Sequence, residues 1–173
     1  ETGYDPAISG EIFRPWSSFS LADYDVEKAL ARRAAMELKG GMTANLGFGI
    51  SAKVPRILIE AGHPKAVTWA IEQGAVGGVP LTGFAFGCAS NAYGFVPSPQ
   101  QFIYFQGGGF DMSFLSFLEV DIDGNVNVSK LGKKPYLTAG CGGFVDITSN
   151  ARKIVFSGWF EAGAKVELTE QGV

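Results

Sequence analysis

Cysteine, histidine and clustered charge are all scarce in this sequence, and each scarcity removes a class of function. Only Cys88 and Cys141 occur, in no CxxC pair, whereas a disulfide framework for a small secreted domain needs more. A reducing cytoplasm is therefore the expected setting. The single histidine, His63, stands beside Pro64 and far along the chain from both cysteines. That leaves too few ligands for a zinc site of ordinary composition, so no metal is expected. The 17 acidic and 14 basic side chains give a net charge of -3 and are scattered, which argues against a nucleic-acid partner and against an acidic tail. No charged leader opens the sequence ahead of an apolar core, so no signal peptide is visible.

What the sequence has in excess is glycine, 24 of 173 residues, about twice the usual share of about 7%. The glycines gather at Gly40 to Gly49, Gly74 to Gly87, Gly107 to Gly109 and Gly140 to Gly143, each cluster beside a segment that reads as strand or helix. Close-approach loops on a rigid scaffold have that distribution; flexible linkers do not. An apolar content of 46% fits one domain with a hydrophobic core, or a large part of one.

Residues 1–22, with Pro6, Gly10, Pro15 and Ser17-Ser18, lack periodicity and read as an interdomain linker, with order expected from near Asp25. Apolar residues at helical spacing predict an amphipathic helix from Asp25 to Lys39, stopped by Gly40-Gly41. Met42 to Leu46 reads as a buried strand, Gly47-Phe48-Gly49 as a turn, Ser51 to Glu60 as a helix and Ala66 to Ile71 as a second strand. Strand, glycine loop, helix, strand is a βαβ unit, which demands parallel pairing. The fold class is therefore α/β, a mostly parallel sheet flanked by helices. Downstream, Phe102 to Phe105, Phe114 to Val120, Val126 to Val128 and Lys153 to Phe156 are strand or short-helix candidates, with Asp123-Gly124-Asn125 a tight turn. Further strands are expected beyond Ser157 to Phe160, so the fold reads as incomplete.

Between Lys65 and Asp111 the only charged residue is Glu72. Gly, Pro, Ser, Asn and Gln are too frequent there for a membrane span, so the tract reads as protein interior and pocket wall. In such surroundings an unpaired carboxylate is costly and its pKa tends to rise. Glu72 also closes an apolar strand, at the carboxyl end where open α/β sheets bind ligands. The residues alone leave two readings open, a functional carboxylate and a solvated glutamate at a strand end.

Gly47-Phe48-Gly49-Ile50-Ser51-Ala52 is a formal GxGxxA match between strand and helix, which makes a dinucleotide-binding oxidoreductase domain a rival, with Glu72 at the position of a ribose-binding acid. The glycines packed behind the carboxylate, in Glu72-Gln73-Gly74-Ala75-Val76-Gly77-Gly78, favour a nucleophile that needs space for a thioester. Gly107-Gly108-Gly109 and Gly140-Cys141-Gly142-Gly143 could each present N–H groups to an anion or oxyanion; the plainer reading of both is a tight turn under packed elements. Cys141 has no histidine near it in sequence and is given no role.

At these residues the chain resembles the family I CoA-transferases, the group that includes acetate CoA-transferase and succinyl-CoA:3-oxoacid CoA-transferase. Asn45-Leu46-Gly47-Phe48-Gly49-Ile50 is similar to that family's Asn-Leu-Gly-x-Gly-Ile loop. Glu72-Gln73-Gly74 stands where its catalytic Glu-x-Gly stands, and Gly140-Cys141-Gly142-Gly143-Phe144-Val145-Asp146 is similar to its later Gly-x-Gly-Gly-x-x-Asp. Gln73 and Gly77-Gly78-Val79-Pro80 look closer to the single-chain acetate and short-chain acyl enzymes. Family members pair two similar halves, and the later half resembles this chain. Residues 23–173 are then part of the carboxyl-terminal domain, with the amino-terminal half of the same enzyme as the missing partner and a homo-oligomer expected.

The resemblance implies a CoA-transferase moving CoA between a short-chain acyl-CoA and a carboxylate acceptor. Glu72 would be the nucleophile and Gly143 the oxyanion-hole glycine, with CoA as substrate and covalent intermediate and no tightly bound cofactor. Asn45, Gly47, Gly49, Gly74, Gly107, Gly108, Gly109 and Gly142 are the candidate CoA-contact residues. The readings kept beside it are the dinucleotide-dependent oxidoreductase and a non-catalytic CoA-binding module of the same fold.

Overall fold

A computed structural model describes residues 3–131 and 134–160 of the chain. Its strands are β1 (Thr43–Leu46), β2 (Thr68–Ala70), β3 (Ala75–Val76), β4 (Val79–Pro80), β5 (Ala89–Ser90), β6 (Gly94–Phe95), β7 (Met112–Leu115), β8 (Glu119–Val120), β9 (Val126–Asn127), β10 (Lys130–Leu131), β11 (Lys134–Thr138) and β12 (Lys153–Phe156). The helices are α1 (Pro6–Ser9), α2 (Val26–Ala35), α3 (Val54–Glu60), α4 (Ser98–Gln106) and α5 (Phe144–Asn150).

Six strands form one sheet in the order β12-β7-β1-β2-β3-β6. The first four are parallel and the last two join antiparallel. Residues along these strands alternate between the two faces, as a pleated strand requires. Ala44, Leu46, Trp69, Ile71, Met112 and Phe114 pack with Ala31 and Ala34 of α2 and with Val54 and Ile57 of α3. Ala70 and Leu115 pack on the other face with Phe105 of α4, Phe110 and Ile147 of α5. With both faces covered, the strands read as nearly continuous apolar runs, and the α/β expectation is met.

The helix expected from Asp25 to Lys39 is shorter. Asp25 caps it, its side chain accepting from the Lys28 N–H at 2.6 Å, and the last turn tightens as Glu37 and Leu38 donate to Ala34 and Ala35. Ser51 to Glu60 opens with a 3₁₀ turn at Ile50–Lys53 before α3. Phe102 to Phe105 falls within α4, and Phe114 to Val120 divides between β7 and β8. The Asp123-Gly124-Asn125 turn is wider than expected: the Asp121 carboxylate gathers the N–H groups of Asp123 and Asn125.

Order also begins before Asp25, which corrects the expected starting point. Pro at the first helical position and Asp5 as cap form α1. Ala7 is fully buried and its carbonyl accepts from the Asn91 N–H at 2.9 Å, while the Asn91 side chain bonds the Arg14 backbone in both directions. Asn91 supplies from residue 91 what periodicity within residues 1–22 could not reveal. The strands expected beyond Phe160 lie outside the described residues.

Candidate active site

Three parallel strands deliver the walls of one cavity at their carboxyl ends. β1 is followed by Gly47 and Phe48, β2 by Glu72 after the core residue Ile71, and β7 by Ser116, Phe117 and Leu118; of these all but Ile71 reach the cavity. With Phe86 and the turn Ala139–Phe144, they line a space of about 290 Å³, at the small end of ligand cavities. The chain runs from β1 to β2 on one side and returns with β7 on the other side of β1. Such a switch point opens a crevice at the strand ends, where open α/β sheets hold ligands.

Glu72 is half-buried, and burial pushes its carboxyl pKa above the ordinary glutamate value. Among the described residues its carboxylate makes no hydrogen bond or ion pair. Its backbone is held firmly: the Glu72 carbonyl accepts from the Ser98 hydroxyl at 3.0 Å, and Gly74 N–H closes a turn onto Ile71 at 2.8 Å. The chain then reverses into β3, antiparallel to β2. A dinucleotide domain would instead cross over to another parallel strand, so the geometry departs from that rival after Glu72.

Gly143 abuts the carboxylate. A Cβ there would stand 2.9 Å from Glu72 Oε2 and 2.7 Å from the Phe102 ring, so only glycine leaves the backbone and the carboxylate so close. Gly143 is the residue before α5, and its N–H enters no hydrogen bond among the described residues. Gly142 and Gly47 also line the cavity. Gly47 is required by packing as well, since a Cβ would lie 2.8 Å from the Phe114 carbonyl oxygen.

The remaining candidates lie elsewhere. Asn45 is fully buried and spent on the sheet: its side-chain N–H donates to the Ala70 carbonyl at 3.2 Å, and its oxygen accepts from the Ser113 hydroxyl at 3.0 Å. It braces β2 two residues before Glu72 and does not line the cavity. Gly49 has φ +91° and turns the chain into the 3₁₀ segment without joining the lining. Gly107, Gly108 and Gly109 are corrected: they precede β7 and so sit at the amino edge of the parallel sheet, opposite Glu72. There Gly107 ends α4, Gly108 faces Asn150, and Gly109 lies against the Tyr104 ring, whose hydroxyl donates to the Gly109 carbonyl.

The space behind Glu72 is likewise not left for a thioester. Gly74 meets the Val96 carbonyl, Gly77 the Tyr93 ring and Gly78 the Ser90–Ala92 backbone. These glycines admit protein backbone and ring against the hairpin, and the open space lies on the Gly143 side. Phe48, Phe86, Phe117 and Leu118 were missed as site residues because their only common property is the cavity they share. Cys141 is exposed and lines it too.

No protein-family model matches the sequence. Caffeate CoA-transferase of Acetobacterium woodii is 39% identical over 170 residues, 96% of this chain and 32% of that protein. Acetate CoA-transferase YdiF of Escherichia coli K12 is 36% identical over 94% of this chain and 30% of that protein. In the solved structures, the acyl-CoA transferase YdiF apoenzyme of E. coli O157:H7 superposes over 98% of this chain with a TM-score of 0.80 at 31% identity, covering 30% of that chain. The chain belongs to the family I CoA-transferases.

It spans about a third of the length of these relatives. The same E. coli O157:H7 transferase has also been solved as a thioester complex with CoA, with a TM-score of 0.75. Separate subunits occur among family members similar to this chain: the beta subunit of the E. coli K12 acetate CoA-transferase is 31% identical over 77% of this chain and 63% of that subunit. Among the described residues no helix is long and apolar enough to cross a membrane.

Proposed function

We propose that this chain is the nucleophile-bearing, carboxyl-terminal part of a cytoplasmic CoA-transferase acting on short-chain acyl-CoA and carboxylate acceptors. Residues 1–22 would lead in from the amino-terminal half that completes the site, and the whole enzyme would be a homo-oligomer. The observation that carries the reading is the Glu72 carboxylate, without a hydrogen-bond partner among the described residues, in a cavity wall where a Cβ on Gly143 would stand 2.9 Å from it.

In this reading a Glu72 oxygen attacks the acyl-CoA carbonyl, the C–S bond breaks, and CoA leaves as thiolate from an acyl-glutamyl anhydride. The thiolate attacks the Glu72 carbonyl, breaking the anhydride C–O bond and releasing the first carboxylate. The glutamyl-CoA thioester that remains is opened by the acceptor carboxylate, and the same steps in reverse give the new acyl-CoA and restore Glu72. No net proton changes hands. A carboxylate is a poor nucleophile in water, so partial burial and an N–H at Gly143 aimed at the developing oxyanion are the two aids the chain offers. CoA serves as substrate and covalent intermediate.

Intact mass and peptide mapping of the full-length protein after acetyl-CoA treatment test the assignment. CoA should be found on Glu72, reducible by borohydride with loss of activity, and discharged by excess acetate. Glu72→Ala should lose adduct and turnover while keeping the fold. An adduct mapped to Cys141, or transfer at the parent rate by Glu72→Ala, would overturn the reading.

A further inference from the structure

We infer that Ser98 is a positioning residue: the face of α4 that carries Ser98, Phe102 and Gln106 holds Glu72 and Gly143 at their working separation. This rests on Glu72 being the nucleophile proposed above, and it adds residues from outside the cavity lining.

Ser98, Phe102 and Gln106 recur at every fourth position, which sets them in one row along the helix. Each row member meets a segment that builds the cavity. At the leading end two bonds grip the turn that carries Glu72: the Ser98 hydroxyl donates to the Glu72 carbonyl at 3.0 Å, and the Val96 N–H donates to the Gly74 carbonyl at 3.0 Å. One turn along, the Phe102 ring lies against Gly143, where a Cβ would stand 2.7 Å from it. At the far end the Gln106 amide donates to the Asp146 carboxylate at 2.6 Å, and the Gln106 carbonyl accepts from the Asn150 side chain at 2.7 Å. Asp146 closes the glycine motif that begins at Gly140, and its carboxylate ties α5 to α4.

Glu72 and Gly143 belong to different loops and share no backbone hydrogen bond. A helix is a stiff strut, and from Ser98 to Gln106 it runs about 12 Å. With the Glu72 turn pinned to one end and α5 to the other, α4 sets how far apart the two loops stand. Fixing the peptide after Glu72 also fixes the direction in which its side chain leaves the turn. The separation matters because an attacking oxygen and an oxyanion donor must meet at one carbonyl group, where a misplacement on the order of 1 Å can cost about a hundredfold.

The test uses the full-length protein with acetyl-CoA as donor and propionate as acceptor. CoA adduct on Glu72 is counted by intact mass, so that turnover is expressed per adduct-forming site. A misfolded fraction lowers that count and leaves the rate per site unchanged. Ser98→Ala should lower kcat per site by about tenfold, with CoA affinity in equilibrium binding within about twofold of the parent. Ser98→Thr keeps the hydroxyl and should recover most of the rate. Gln106→Glu, nearly isosteric but repelling Asp146, should lower kcat by about threefold, and less at high salt. Ser98→Ala turning over at the parent rate per site, or losing rate only through weaker CoA binding, overturns the inference while the adduct leaves the reading of Glu72 standing. Ser98→Thr as slow as Ser98→Ala overturns it as well, since the hydroxyl would not be the cause, and so does Gln106→Glu at the parent rate. Absence of a CoA adduct on Glu72 in the parent protein sinks the reading on which the inference stands.

Discussion

Gly143 has no room for even a methyl group. Alanine there would bring its Cβ to 2.7 Å from the Phe102 ring and 2.9 Å from Glu72 Oε2, and one of the two must move. Overpacking of this kind destabilises by about 1–3 kcal/mol, but under the proposed mechanism the larger consequence falls on chemistry, because a displacement on the order of 1 Å at the proposed nucleophile, Glu72, can cost about a hundredfold in rate. For Gly143→Ala in the full-length protein, kcat should therefore fall much further than CoA affinity, and equal losses in steady-state kinetics and equilibrium binding would count against its place at the reacting centre.

Glu72 predicts a pH dependence whose sign follows from burial. Its folded pKa is raised above the ordinary value of 4.5 by desolvation, so folding takes up a proton at this group. Stability from the neutral acid is fully present below the unfolded pKa and is lost as pH rises through the raised folded value. Glu72→Gln should then melt above the parent at neutral pH, and the gap should close on acidification. Turnover runs the other way under the proposed mechanism, which needs the Glu72 carboxylate ionised: kcat/KM against pH should show an acid limb with its midpoint above 4.5. A limb at or below the ordinary value would mean that Glu72 is solvated in the working enzyme.

At the scale of elements, the strand ends are held in register by Asn45, which lies at the sheet's centre. Its amide joins β1 to the Ala70 carbonyl of β2 and to the Ser113 hydroxyl of β7, so it bridges the three strands whose ends build the cavity. Asn45→Ala would leave a buried carbonyl and hydroxyl without partners and should destabilise by about 1–3 kcal/mol. It should lower kcat through Glu72's position while the protein still binds CoA. Thermal melts that match the parent would show that water replaces the amide without loss. The motif around Asn45 was visible in the sequence as a candidate CoA contact; its actual work is inside the sheet, which a motif match cannot distinguish from ligand contact.

On the scale of the whole molecule, the described residues leave large apolar groups in solvent, among them Tyr24, Phe84 and Ile122, each essentially fully exposed. Relatives about three times as long as this chain have further protein to lay over such a surface. Residues 1–173 produced alone should therefore associate or remain inactive. Size-exclusion chromatography giving a clean monomer with high specific activity would show that the cavity is complete as it stands.

The sequence by itself determined the βαβ start, the α/β class and the singular charge at Glu72. Each of these is written in local periodicity or composition, and β1, α3 and β2 fall within a few residues of where the pattern places them. Gly47, Gly142 and Gly143 stood out as candidates through motifs, and the structure places them in the lining of the same cavity as Glu72. Tertiary structure alone decided the rest. It sent Gly107, Gly108 and Gly109 to the opposite edge of the sheet and filled the space behind Glu72 with Val96, Tyr93 and the Ser90–Ala92 backbone. It also brought Phe48, Phe86 and Phe117 to one cavity. A glycine's sequence neighbours do not reveal whether backbone, ring or ligand will occupy the space it leaves. That depends on strand order and on which end of the sheet a loop joins, and both are fixed by contacts between residues far apart in the chain.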